Sequence, residues 1–236
     1  VGAALLVIAL AGCSLLPGSG TTPAPAATAA PNAGECWNTT VAHASAWADW
    51  EGRAATPCTS SHTLYTYQVG RISGVSSSSW ASAGDPTSLS DEVETKADAA
   101  CSITKLLPHQ QWNEQLIEEY FFVPTEAEWK AGARWVRCDV GVLATGTTIA
   151  DEAFRTLPAQ ISTFVASVSS TPARYEFCIN TSESVTDVGP LDDPDAVIAD
   201  CSKNPQWKLA THGNLPEAAG APFPSAAVAN TESTTI

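Results

Sequence analysis

Basic residues are scarce in this sequence. Only 11 lysines and arginines stand against 25 aspartates and glutamates, leaving a net charge of −14. Nucleic-acid binding leaves a basic footprint, and docking on anionic lipid needs clustered lysines and arginines, so the balance argues against both. A long hydrophobic run is missing too. The one sustained apolar stretch, "VGAALLVIALAGC", falls short of the ~20 residues that a spanning helix needs. Histidine occurs only at His43, His62, His109 and His212, and no G-x-S-x-G surrounds any serine. There is no P-loop and no G-x-G-x-x-G. What the acidic surface favours is solubility and, in principle, cationic partners.

The apolar N-terminus ends in small residues and a cysteine, as the h-region and cleavage site of a secretory signal do. Leu10-Ala11-Gly12-Cys13 resembles the lipobox of bacterial lipoproteins, in which Cys13 would carry lipid and become the mature N-terminus. Residues 1–13 are therefore expected to be a lipoprotein signal. The sequence opens at Val1 without a Met or a basic n-region, so a few residues are expected to precede it. Residues 14–33 are rich in Ser, Gly, Pro, Thr and Ala. They cannot bury a core and read as a flexible tether.

Of the seven cysteines, removing Cys13 for lipidation leaves an even set, Cys36, Cys58, Cys101, Cys138, Cys178 and Cys201. An even set in an exported chain reads as a disulfide framework, although spacing alone leaves many pairings open. A weak internal repeat narrows them. The interval from Cys36 to Cys58 is one residue shorter than that from Cys178 to Cys201, and "CTSSHTLYTYQVGRI" corresponds loosely to "CSKNPQWKLATHGNLP". The expected pairs are then Cys36–Cys58, Cys178–Cys201 and, by remainder, Cys101–Cys138. Counterparts of Cys101 and Cys138 in the second copy would fall past the last residue, so that copy is expected to be partial. A zinc site at Cys58 and His62 is the alternative, but no second close pair of Cys or His completes it.

Periodicity gives an α+β fold: a small disulfide-stapled domain with an antiparallel sheet and a packed helix, plus the partial second copy. "HTLYTYQVGRI" alternates and predicts a strand. "GVSSSSWASAGDPTSL" reads as loop. "SLSDEVETKADAACSITKLLP" predicts a helix capped by Ser88 or Ser90, with Val93, Ala97, Ala100, Thr104 and Leu107 at helical spacing and Cys101 on its apolar face. Tyr120 to Val123 reads as a short buried strand. In "PTEAEWKAGARWVRC", Thr125 and Glu128 form a capping-box signature and Gly132 can end the helix that follows. From Arg134 the period becomes two, with Arg134, Val136, Cys138, Val140 and Val142 on one face and Trp135, Arg137 and Asp139 on the other. Asp151 to Leu157 is expected as a short helix, and Ile161 to Val168 as helix or strand. The domain plan is 34–144 for the first unit, 145–172 for a connector and 173–236 for the partial repeat.

These residues carry a likeness. Gly34 and Cys36, then Cys58 and His62 leading into a strand, then Cys101, then Pro124, Trp129, Gly132, Arg134 and Cys138 in Pro-x₄-Trp-x₂-Gly-x-Arg-x₃-Cys, resemble the septum formation domain of actinobacterial envelope proteins. The likeness covers Gly34 to about Leu143, and in part Arg174 onward, where Gln206 stands in for the histidine. It implies a link to septum formation or cell division and implies no enzymatic activity. His62, Trp129, Gly132 and Arg134 are the motif residues it marks as candidates for interaction.

Catalytic signals are thin. Ser102-Ile103-Thr104-Lys105 is S-x-x-K, Ser202-Lys203-Asn204 is S-x-N, and Lys130-Ala131-Gly132 loosely matches K-T-G. Their order is wrong for penicillin-binding chemistry and K-A-G lacks the hydroxyl. Asp192, Asp193 and Asp195 lack the spaced ligands of an EF-hand and read as a turn. Trp129 and Trp135 read as core rather than as a sugar platform. No metal and no cofactor is expected. The sequence thus predicts a lipid-anchored extracytoplasmic module, held at the membrane and meeting an envelope or division protein, with no nucleic-acid partner. A wall-modifying enzyme and a glycan or small-ligand binder are the alternatives.

Overall fold

The structure, a computed structural model, describes residues 29–45, 54–82, 85–109, 116–181, 193 and 195–208. Cys13, residues 14–28 of the expected tether, His212 and residues 231–236 lie outside the described residues. In chain order the elements are β1 (Cys36–Trp37), α1 (Val41–Ser45), β2 (Leu64–Arg71), β3 (Ala81–Ser82), β4 (Asp85–Leu89), α2 (Asp91–Ala100), β5 (Ile117–Phe122), α3 (Glu126–Lys130), β6 (Trp135–Val142), α4 (Ile161–Ser170), β7 (Cys178–Asn180), β8 (Val197–Ala199) and β9 (Trp207–Lys208). Short 3₁₀ turns follow α2, α4 and β8.

The expected α+β architecture is present. A four-stranded antiparallel sheet runs in the order β1-β2-β6-β5, and a three-stranded one in the order β8-β7-β9. β6 lies inside the larger sheet, and all but its first residue are buried. That burial explains why its second face, Arg137 and Asp139 included, is not a solvent face. One side of β6 meets α2 and α3 through Val136 and Cys138, packed with Val93, Ala97, Val123 and Trp129. Each buried valine there contributes about 1.5–3 kcal/mol.

Several local expectations meet tertiary forces. Ser90 caps α2, its hydroxyl accepting the Val93 N–H at 3.3 Å, and Asp91, Glu92 and Glu94 fill the first turn beside the positive helix end. The helix stops at Ala100 rather than running to Leu107. Cys101 leaves it in extended conformation to reach Cys138, so it follows the apolar face instead of sitting on it, and a 3₁₀ turn at Ile103–Lys105 carries on. The stretch read as loop contains the β3–β4 hairpin. The strand expected at Tyr120–Val123 is longer, because Ile117 to Phe122 pairs along β6 from Val142 to Arg137. Asp151–Leu157 is not a helix. Phe154 bridges Leu143 and the Arg155 N–H is donated to the Val142 carbonyl, so edge pairing overrides helical propensity.

Three disulfides join Cys36–Cys58, Cys101–Cys138 and Cys178–Cys201. The first and third sit in one shared register. Cys36 pairs with Tyr65 and Trp37 with Leu64, while Cys178 pairs with Lys208 and Ile179 with Trp207. In both frames the partner of the first cysteine lies equally far past the second cysteine. The opposite edge matches as well, since Cys36 bridges Thr56 and Cys178 pairs with Ala199. A side-chain bond repeats too: the Thr39 N–H is donated to Thr63 Oγ1 at 2.9 Å and the Thr181 N–H to Gln206 Oε1 at 2.6 Å. Gln206 therefore corresponds to Thr63, not to His62, whose place is taken by Pro205. Both frames and the segment between them share a core of Leu116, Val140, Val142, Leu157, Phe164, Tyr175 and Ile198.

Candidate functional site

Trp129, Gly132 and Arg134 come together at the end of α3. Thr125 Oγ1 accepts the Glu128 N–H, and Glu128 Oε2 accepts the Thr125 N–H at 2.9 Å, completing the capping box. At the other end the Ala133 N–H is donated to the Glu128 carbonyl and the Gly132 N–H to the Trp129 carbonyl. That Schellman closure needs a left-handed residue, and Gly132 supplies φ +100°. Arg134 Nη1 donates to the Trp129 carbonyl at 2.7 Å and the Ala133 carbonyl at 2.6 Å, and the guanidinium lies 3.9 Å from the Trp129 ring centre. Trp129 is fully buried and its indole N–H is donated to the Ser76 carbonyl. Burial and the neighbouring charge of Arg71 lower the Arg134 pKa. The trio is a helix terminator over a buried indole, with Arg134 half-buried at its rim.

His62 lies elsewhere. It is buried, and its Nδ1, 2.9 Å from the Ser60 carbonyl, must carry the proton, which leaves Nε2 without a partner among the described residues. The His62 carbonyl accepts the Leu157 N–H, so this residue anchors the 155–158 stretch. No group of three His, Cys, Asp or Glu that could hold a metal occurs among the described residues.

The other face of β6 holds a network that the alternation pattern did not reveal. Arg137 and Asp139, both completely buried, pair at 2.9 Å. Thr66 Oγ1 donates to Asp139 Oδ1 at 2.7 Å and accepts the Trp37 indole N–H at 2.8 Å. The Arg137 guanidinium is sandwiched between the rings of Trp37 and Phe122, at 4.0 and 4.2 Å. Burial pushes the Asp139 carboxyl up against the pull of Arg137 and Thr66, and pushes the Arg137 pKa down. Farther along the same face, burial pushes the Glu118 carboxyl up to about 7, and Glu152 adds to the rise. Glu152 is itself raised by burial, and the Tyr120 hydroxyl is raised by burial and by both acids. Single-strand periodicity cannot show this cluster, because Glu152 arrives from an extended segment read as helix.

A concavity of about 330 Å³ opens beside α4, lined by Arg155, Arg174, Thr163, Phe164, Ser167 and Tyr175 among others. The Arg155 guanidinium lies 4.3 Å from the Tyr175 ring centre, and its Nη1 donates to the Arg174 carbonyl at 3.5 Å. Tyr175 stacks edge-on against Phe164 and hydrogen-bonds the Ser167 hydroxyl. The signal in the sequence was the placement of two scarce arginines on either side of an apolar helix. Their convergence depends on the fold.

The serine motifs are engaged locally. Ser102 Oγ bonds Thr104 Oγ1 at 2.7 Å, Lys130 pairs with Glu126, and Ser202 bonds Asp200 at a 3₁₀ turn. Asp195 donates its N–H to Asp193 Oδ1, as a turn does. No helix among the described residues is long and apolar enough to cross a membrane.

Searches among curated proteins and among solved structures found no match. Residues 33–235 match the family model for septum formation, a span that takes in all three disulfides, the Trp129–Arg134 terminator and the concavity beside α4. This chain belongs to the septum formation family.

Proposed function

We propose that this protein is a lipid-anchored, extracytoplasmic and non-catalytic interaction module of the cell envelope that acts in septum formation. The observation that carries the reading is the septum formation match over residues 33–235. The disulfide framework supports it, because such bonds persist in oxidising compartments outside the cytoplasm. Cys13 is the residue proposed to take the lipid, and residues 14–33 the tether. The net charge of −14 supports a protein partner in the envelope rather than nucleic acid. The Ser102 and Ser202 hydroxyls and the Lys130 ammonium are engaged by near neighbours, which supports a non-catalytic role. The test is metabolic labelling with an alkyne fatty acid in the native cell, combined with imaging of a tagged full chain. Label on the chain, lost in Cys13→Ala, with signal gathered at septa, supports the reading. An unlabelled chain or an even distribution through dividing cells contradicts it.

A second reading, a wall-modifying hydrolase, is favoured by one observation. A carboxyl held neutral up to about pH 7, as Glu118 is beside Glu152, is suited to act as a general acid. Release of soluble fragments from purified cell wall, abolished in Glu118→Gln, would select that reading. Trp129 is fully buried and offers no sugar platform, whereas Trp207 is exposed.

A further inference from the structure

Two of the 11 basic residues in a chain of net charge −14 line one concavity. Neither Arg155 nor Arg174 has an ion-pair partner among the described residues. Asp200 feels the Arg174 charge from beyond ion-pair distance, and its carboxylate is engaged by Ser202 and Lys203. The Arg155 guanidinium is held in place without an acid: it rests on the Tyr175 ring and donates to the Arg174 carbonyl, while the Arg155 backbone N–H is fixed to the Val142 carbonyl. Tyr175 is nearly fully buried, packed on Phe164 and bonded to Ser167. Its carbonyl accepts the Leu116 N–H, and the His62 carbonyl fixes Leu157 on the far wall. These walls are set by elements that belong to the core, so the site is organised before any ligand arrives.

The lining divides by chemistry. Arg155, Arg174, Thr156 and Thr163 supply donors, while Leu157, Pro158 and Phe164 supply an apolar wall. No glycine among the described residues lines it, so the glycine-rich backbone nest of a phosphate cradle is not what this lining offers. A planar guanidinium fork matches a carboxylate, and its attraction is greater in a partly enclosed site than in bulk water. The volume, about 330 Å³, is at the small end for ligand sites.

We propose that the concavity beside α4 binds a small ligand, or a short chain end, that terminates in a carboxylate and carries an apolar body. The carboxylate sits between Arg155 and Arg174, and the apolar body lies on Leu157, Pro158 and Phe164. This assignment stands apart from the septal role, and the two can fail separately.

N-acetyl-alanyl-alanine is the probe, titrated calorimetrically into the oxidised full chain. Its C-terminal amide and inorganic phosphate are the comparison ligands. The acid is expected to bind, with affinity at least tenfold above that of the amide and of phosphate. Arg174→Gln, at an exposed position, is expected to weaken the acid at least tenfold while the thermal midpoint stays unchanged. Thr163→Val is expected to weaken it several-fold. No binding of the acid, equal binding of the amide, or tighter binding of phosphate overturns the proposal. So does an acid affinity that Arg174→Gln leaves intact.

Discussion

Replacing Glu118 with glutamine should make the protein more stable at mildly alkaline pH and leave it unchanged in acid. The Glu118 carboxyl is raised from 4.5 to about 7, first by burial and then by the charge of Glu152. The group therefore ionises more readily in the unfolded chain. Its favourable contribution is fully present below about pH 4.5 and is lost as pH rises through about 7. At roughly 1.4 kcal/mol per pK unit, the loss amounts to about 3 kcal/mol by about pH 8. Glutamine keeps the shape and carries no charge, so the variant lacks this loss. The assay is denaturant unfolding followed by tryptophan fluorescence, with disulfides intact, in steps from about pH 4 to pH 8. The two proteins should agree at the acid end and diverge by up to about 3 kcal/mol at the other, with the variant more stable. Glu152→Gln should narrow the gap by removing the charge that adds to the rise. Parallel pH profiles for wild type and Glu118→Gln would refute the reasoning, because Glu118 would then be solvated as freely folded as unfolded.

Other substitutions probe the scaffold. Arg137→Met leaves the buried Asp139 without its cation and should cost about 3–5 kcal/mol in equilibrium unfolding, whereas adding Asp139→Leu should recover much of that loss. Gly141→Ala should destabilise by about 1–3 kcal/mol, since a Cβ there would lie 2.7 Å from Leu64 and 2.8 Å from Phe154. Gly132→Ala should cost about 1–2 kcal/mol through the left-handed backbone at φ +100°, read as a lower thermal midpoint. Replacing both Cys101 and Cys138 with serine opens a loop of separation 37 and should cost about 4 kcal/mol by chain entropy, measured as a lower denaturant midpoint.

The parts legible in the sequence were those that depend on near neighbours. Thr125, Glu128 and Gly132 specify the start and stop of α3 within eight residues, and the structure forms both caps. The two cysteine intervals pointed to the repeated frame, which the matched register of Cys36 and Cys178 bears out in hydrogen bonds. Parts that depend on distant partners were not legible. Alternation placed Arg137 and Asp139 opposite Val136 and Cys138, but a period of two cannot tell that Trp37 and Phe122 cover that face. The 151–157 segment carried a helix-like pattern, but the free edge left by Val142 and Leu143 took its backbone instead. The α2 helix lost its expected last turns because Cys101 must reach β6. The concavity beside α4 joins residues from two sides of a helix, and only the packing of Tyr175 on Phe164 brings Arg155 and Arg174 to one wall.

The proposed septal role is tested most directly by proximity labelling from a full-length tagged chain in its own growing cells. Enrichment of envelope proteins of the division site over those of the lateral wall is the predicted result. A labelled set drawn from the cytoplasm, or one equal between division site and lateral wall, would contradict the account.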